Sequence, residues 1–239
     1  MIEVRTAASV RRLLRECASP EKAAFLPRFF KTGPGEYGFG DRFYGVVVPD
    51  CRRIAKAARN LSESDLEELL RSPMHEERTV ALMVMADRFE RGDEGEKSRV
   101  YRLYRRNLAR VNNWDLVDGS APAIAGGYFE GRDRSQLRRW ARSKKLWERR
   151  IAMLATYRYI KRGDFGDALA IARVLRDDPE DLIHKAVGWM LREIGNRDRE
   201  AEERFLRAHH RKMPRTMLRY AIEKFPEPRR KAYLNGRPK

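Results

Sequence analysis

"HEERTVALMVMADRFERGD", residues 75–93, reads as one amphipathic helix that stops at glycine after a basic last turn. Two later stretches have the same shape. "LWERRIAMLATYRYIKRGD" (146–164) also stops at Arg-Gly-Asp, and "DLIHKAVGWMLREIGNRD" (181–198) stops at Gly195. Superimposing the three aligns "RTVAL" from Arg78 with "RIAML" from Arg150 and "KAVGW" from Lys185, segments 72 and 35 residues apart. If the longer interval holds two repeats, a further copy starts at Trp114, inside "NNWDLVDGSAP" (112–122). A looser copy, "RTMLRYAIEKF", starts at Arg215. Small residues recur in the aligned segments (Ala81, Ala152, Gly188), as close helix packing requires. A helical period in the mid-thirties predicts an all-α chain of stacked helix pairs, an α-solenoid; the alternative is chance likeness among helices of similar composition.

In such a stack, equivalent residues line one concave face. The row here is Arg78, Trp114, Arg150, Lys185 and Arg215, four cations and one aromatic ring. The whole chain of 239 residues carries 52 Lys and Arg against 35 Asp and Glu, a formal net charge of +17. A basic groove suits a phosphate backbone, so double-stranded DNA is the first partner to expect. An Arg-rich genome and a merely solvated basic face are the competing explanations.

Only Cys17 and Cys51 occur, which is no disulfide framework. The start, "MIEVRTAASVRRLL", lacks a signal peptide's apolar run, and no stretch reaches the roughly 18–20 uncharged apolar residues of a membrane span. A soluble, cytoplasmic protein with no membrane partner is therefore expected, acting as a monomer. One domain is expected over residues 1–234, with "NGRPK" (235–239) as a disordered tail. Within it, "SDLEELLRSP" (64–73) reads as a helix capped by Ser64. Only 36–48, "EYGFGDRFYGVVV", looks non-helical, and Pro49 fits the first turn of the next helix.

Inside the aligned copy at 114, Trp114 and Asp118 are four positions apart and share a helix face. Asn112 or Asn113 can cap this helix, and Asp115 in its first turn suits the dipole. Asp118 allows two readings. It can pair with an Arg of a neighbouring helix. Alternatively, an ionised carboxylate in a basic groove can stabilise a developing cation, such as the oxocarbenium-like sugar formed when an N-glycosidic bond breaks. An aromatic face beside it would add to that attraction.

"NNWDLVDGSAP", "LWERRIAMLATYRYIKRGDF", "DLIHKAVGWMLREIG" and "KMPRTMLRYAIEKF" together resemble the AlkD-like family of bacterial DNA alkylation-repair glycosylases, and "RFFKTGPGEYGFGDRFYGVVVPDCRRIAK" (28–56) is similar to its N-terminal part. The likeness runs over residues 18–234. It implies a right-handed superhelix of HEAT-like repeats. It further implies excision of cationic N3- or N7-alkylated purines in base excision repair, with no metal or other cofactor and no deep base-flipping pocket. The family's catalytic Asp falls on Asp118, its two groove tryptophans on Trp114 and Trp189, and its DNA-contacting Arg on Arg150. Arg78, Lys185 and Arg215 become further phosphate contacts. A Tyr of the family falls on Phe29 in "FLPRFFK", which removes a hydroxyl from the DNA-binding set. Relatives that keep the fold without the activity exist, so a non-catalytic binder of bent or branched DNA stays open, as does a protein scaffold.

The remaining candidates carry blander readings. His75, His184, His209 and His210 show no metal-ligand spacing and are expected at the surface. Gly35, Gly38 and Gly40 belong to a loop, not a dinucleotide fingerprint. Trp140 and Trp147 have apolar neighbours and are expected in the core.

Overall fold

The computed structural model describes residues 4–237. They form helices joined by turns and loops, without a strand among them; one isolated bridge joins Arg42 and Met74. The chain divides into two compact units at Ile124/Ala125.

The N-terminal unit holds α1 (Ala7–Glu16), α2 (Pro20–Phe29), α3 (Val48–Ala57), α4 (Glu63–Leu70), α5 (His75–Arg91), α6 (Glu94–Arg106) and α7 (Trp114–Ser120). Helix starts follow the side chains that can accept from the first turn. Thr6, Ser19, Ser62 and Asp93 each accept from the amide three residues on. The cap of α4 is thus Ser62 and not Ser64: the Ser62 hydroxyl lies 3.0 Å from the Asp65 amide, while Ser64 already sits inside the first turn. α5 is the centre of this unit and packs against α1, α3, α4, α6 and α7. Val80, Ala81, Val84, Met85 and Phe89 form its buried stripe. The non-helical segment expected over 36–48 runs over 30–47, since α2 ends at Phe29 and α3 already includes Val48; Pro49 lies in the first turn of α3, as expected.

The C-terminal unit holds α8 (Ser135–Trp140), α9 (Leu146–Ala155), α10 (Tyr157–Ile160), α11 (Gly166–Leu175), α12 (Asp181–Gly195), α13 (Arg199–His209), α14 (Arg215–Ala221) and α15 (Glu227–Leu234). α12 is its centre and packs against α9, α10, α11, α13 and α14. Gly188 is where α14 crosses closely: a Cβ there would stand 2.5 Å from the Met217 carbonyl and from Tyr220 Cβ. The stretch 146–164 is two helices instead of one. The Thr156 hydroxyl donates to the Met153 carbonyl at 2.6 Å, and its amide bonds the same carbonyl, which tightens the turn and splits α9 from α10. Trp140 is buried, whereas Trp147 is half-buried. Of the tail, Gly236 takes a left-handed φ of 69° and the Arg237 amide bonds back to Ala232 at 2.8 Å, closing α15; residues 238 and 239 lie outside the described part.

Candidate functional site

The first turn of α5 decides the local architecture around Trp114. His75, Glu76, Glu77 and Arg78 are all buried, although each carries a polar or charged group. No side chain caps this helix; its first turn meets the non-helical segment instead. The Glu76 carboxylate accepts from the amides of Tyr44, Gly45 and Val46 at 3.1, 2.8 and 3.2 Å. Glu77 accepts from the Tyr44 hydroxyl at 2.7 Å and Arg11 Nε at 2.9 Å. Arg78 pairs with Asp41 at 2.6 Å and donates to the Ser72 carbonyl. The loop comes close enough for this only through glycine. Gly45 has φ 79°, and a Cβ there would lie 2.2 Å from the Ser19 carbonyl.

His75 joins this network to α7. Its Nδ1 lies 3.1 Å from Asp41 and its Nε2 2.7 Å from Asp115. Burial alone would lower the imidazole pKa, but hydrogen bonds to Asp115 and Asp41 and the charge of Asp115 outweigh it and raise the value to about 9. The ring is therefore an imidazolium between two carboxylates at neutral pH. Asp41 responds in the opposite sense: burial would raise its pKa, and its bonds to His75 and Arg78 hold it below the usual range.

The same ring supports an aromatic stack. Phe30 lies 4.6 Å from His75 between ring centres, and stacks on Phe43 at 5.2 Å and on the Trp114 indole at 5.6 Å. Phe29 meets Trp114 edge-on at 5.6 Å and remains 51% exposed. Beside these rings lies a cavity of about 330 Å³, walled by Phe29, Phe30, Phe43, Val46, Trp114 and neighbouring side chains. The Asn113 side-chain oxygen Oδ1 caps α7 by accepting from the Trp114 amide at 2.9 Å. Asp118 follows Trp114 one turn on and is half-buried.

The C-terminal unit holds the other expected residues. The Trp189 indole is half-buried, packs 6.0 Å from the Tyr157 ring and donates to Glu193 at 3.3 Å. Lys185 pairs with Asp181 at 2.8 Å, and exposed Arg215 donates to the Leu234 carbonyl at 2.7 Å. Arg150 is only 4% exposed and donates to the Leu182 carbonyl. The expected row of surface cations is thus corrected at two positions. Arg78, on α5, and Arg150, on α9, are buried and engaged within the fold, Arg78 by Asp41 and the Ser72 carbonyl and Arg150 by the Leu182 carbonyl.

The histidine expectation is corrected too. His75 is buried by its two carboxylates and the phenylalanine rings, and His210 is buried with Nδ1 at 2.9 Å from the Leu206 carbonyl. Asp115 does more than suit a helix dipole, since it receives the His75 bond. Sequence reasoning missed His75, Asp41, Glu76 and Glu77 as a group. Two acids in a first turn look like ordinary dipole compensation; the signal was that they occupy the buried frame set by Val80 and Val84.

A family model described as DNA alkylation repair enzyme matches residues 10–225. No curated protein matches the chain. Among solved structures, it is similar to a predicted DNA alkylation repair enzyme from Enterococcus faecalis, with 15% identity, TM-score 0.66, and 95% of this chain and 100% of that one covered. It is also similar to AlkD2 from Streptococcus mutans, at 16% identity and TM-score 0.52 over 92% of this chain and 98% of that one. At these identities the likeness is one of fold.

Proposed function

Because the chain belongs to the DNA alkylation repair enzyme family, we propose that it is a DNA glycosylase that hydrolyses the N-glycosidic bond of cationic N3- or N7-alkylated purines. In this reading stacked helical repeats present a basic groove to duplex DNA, and a monomer acts without a cofactor. Alkylation places a positive charge on the purine, so the base leaves with the bonding electron pair as a neutral molecule. The sugar left behind is oxocarbenium-like. The Asp118 carboxylate stabilises that cation and orients the water whose oxygen bonds C1′ and whose proton is then lost. Trp114 and Trp189 hold the nucleotide's sugar and phosphate. Phe29 gives the same backbone an apolar edge without a hydroxyl. Lys185 and Arg215 serve as phosphate contacts, whereas Arg78 and Arg150 hold the fold.

One observation carries the reading. Trp114 and Asp118 share one turn of α7, and the start of that helix is clamped by the bond from buried His75 to half-buried Asp115. A surface residue would need no such support; a residue that must keep a fixed place against a reacting sugar does. The test is purine release from N-methylated duplex DNA. Asp118→Asn is expected to lose on the order of a hundredfold or more in release while keeping duplex affinity. Equal release by both proteins would overturn the assignment. The missing hydroxyl at Phe29 favours one competitor, a non-catalytic binder of bent or branched DNA, which predicts salt-sensitive binding and no base release from wild type.

A further inference from the structure

The sequence resemblance implies no deep base-flipping pocket, yet the N-terminal unit holds a cavity of about 330 Å³ against Trp114. Its walls are ring faces and hydrocarbon: Phe25, Phe29, Phe30 and Phe43 line it together with Val46 and Trp114. Two charged residues in the wall are already engaged by the fold. His75 is held between Asp41 and Asp115, and Glu76 accepts from three loop amides. Recognition here therefore rests on the rings, and the walls suit a flat aromatic group.

The mouth is a second, independent observation. Among the described residues seven large hydrophobic side chains are exposed, and four of them, Phe25, Phe29, Val47 and Val48, line this one cavity. Single exposed hydrophobic residues are ordinary, whereas a cluster of them around a concavity marks a binding surface. α2 shows the same bias. None of its ten residues is buried, and Phe25 and Phe29, one turn apart, face the cavity instead of the core. Charge says what kind of group comes with the occupant. Lys22 lines the mouth, Arg28 and Lys31 lie on either side of Phe29 in the chain, and all three are exposed. Flat apolar faces inside and cations outside match a nucleotide, with its base within and its phosphates at the rim.

We propose that the cavity receives the alkylated purine of bound DNA, turned out of the duplex while its sugar lies at Asp118. Trp114 walls the cavity, and Asp118 follows it by one helical turn, about 5.4 Å, which a single nucleotide can span. The ring faces attract the positive charge that alkylation places on the base. Turning a base out of its stack costs least where it is damaged, so the cavity favours lesions over normal purines. The position of the sugar rests on the glycosylase reading of Asp118; the occupancy of the cavity is measured by binding alone.

The probe is a duplex bearing one N7-methylguanine on a 2′-fluorinated sugar, which keeps the base attached. The methyl resonances of Val46, Val47 and Val48 in the full-length protein are followed by NMR during titration with it. Parallel titrations use the undamaged duplex and one with tetrahydrofuran, a sugar analogue without a base, in place of the lesion nucleotide. Saturable ring-current shifts are expected with the lesion duplex alone. The same shifts with the tetrahydrofuran duplex would mean that another base fills the cavity, and bound duplexes that shift nothing would mean that it stays empty; either result overturns the proposal. Val48 is 48% exposed, so Val48→Trp narrows the mouth without disturbing the core. It is expected to weaken binding of the lesion duplex on the order of tenfold and to leave the tetrahydrofuran duplex unaffected. An unchanged preference for the lesion would equally overturn the site. Purine release from ordinary N-methylated duplex separates the two readings. Release without the shifts rejects the cavity alone, and the shifts without release reject the glycosylase alone.

Discussion

The starts of α5 and α12 align in sequence, Arg78 with Lys185, yet they are built for opposite purposes. Each helix is the centre of its own unit, and each buries a continuous apolar stripe. At α12 the first turn is conventional: Asp181 is exposed and pairs one turn on with Lys185. At α5 the first four residues are all buried, and their charges are spent on one another, on Asp41, on Asp115 and on loop amides. The contrast shows that two helices with similar apolar stripes can turn their polar ends to separate tasks. In the N-terminal unit that task is to hold the non-helical segment and the start of α7 around Trp114.

The largest expected effect tests that contrast directly. His75→Ala leaves Asp41 to Arg78 alone and takes from Asp115 its imidazolium partner, and removing one member of a largely buried ion network costs about 3–5 kcal/mol. Lys185→Ala removes an exposed pair and is expected to cost less than about 1 kcal/mol. Urea unfolding monitored by tryptophan fluorescence compares the two; similar losses would mean that the α5 network is no firmer than a surface pair.

Next comes close packing in the C-terminal unit. Gly188→Ala puts a methyl against the Met217 carbonyl and Tyr220, so α14 must move, at a cost of about 1–3 kcal/mol. Gly119→Ala in α7 meets nothing within 4 Å and is expected to be neutral or slightly stabilising, since alanine favours helix. A neutral Gly188→Ala would remove the close-crossing argument.

The two units also differ in the pH window over which they lose stability. His75 has its pKa raised from 6.5 to about 9 in the folded protein, so its contribution is complete below 6.5 and is lost as pH rises through about 9. Glu202, on α13, is buried with Oε1 unpartnered; burial chiefly raises its pKa from 4.5 to about 8. It too holds an extra proton when folded, so stability falls as pH rises from 4.5 towards about 8. Unfolding free energy measured against pH separates the two. Glu202→Gln is expected to flatten the lower window and to stabilise the protein at neutral pH, whereas His75→Gln flattens the upper one. A Glu202→Gln profile parallel to wild type would show that this carboxyl is ionised in the fold.

The helices and their stops were legible in the sequence because apolar spacing and glycine position act locally. Gly195 ends α12 as expected, and Gly188 sits where a neighbour crosses. What escaped were features set by distant partners. Ser62 and Ser64 are both good caps, and only the chain's entry direction selects Ser62. Arg78 and Arg150 read as surface cations because their satisfying partners, Asp41 and the Leu182 carbonyl, lie 37 and 32 positions away in sequence. His75 was indistinguishable from a surface histidine until Asp41 and Asp115 were placed on either side of it.

That lesson sharpens the smallest prediction. Of the four cations in the repeat row, only Lys185 and Arg215 keep access to a ligand. If the row is a DNA-facing line at those two positions, Lys185→Ala should reduce duplex affinity modestly and lower the dependence of log K on log salt by about 0.9, the share of one phosphate. The exposed Lys185–Asp181 pair does not oppose this, since a phosphate can compete for an ammonium whose partner is solvated. An unchanged slope, with Arg215→Ala equally silent, would move the DNA contact off the repeat row altogether. The periodicity would then describe packing alone, and Trp114 and Asp118 would have to meet DNA on a surface that the repeat does not define.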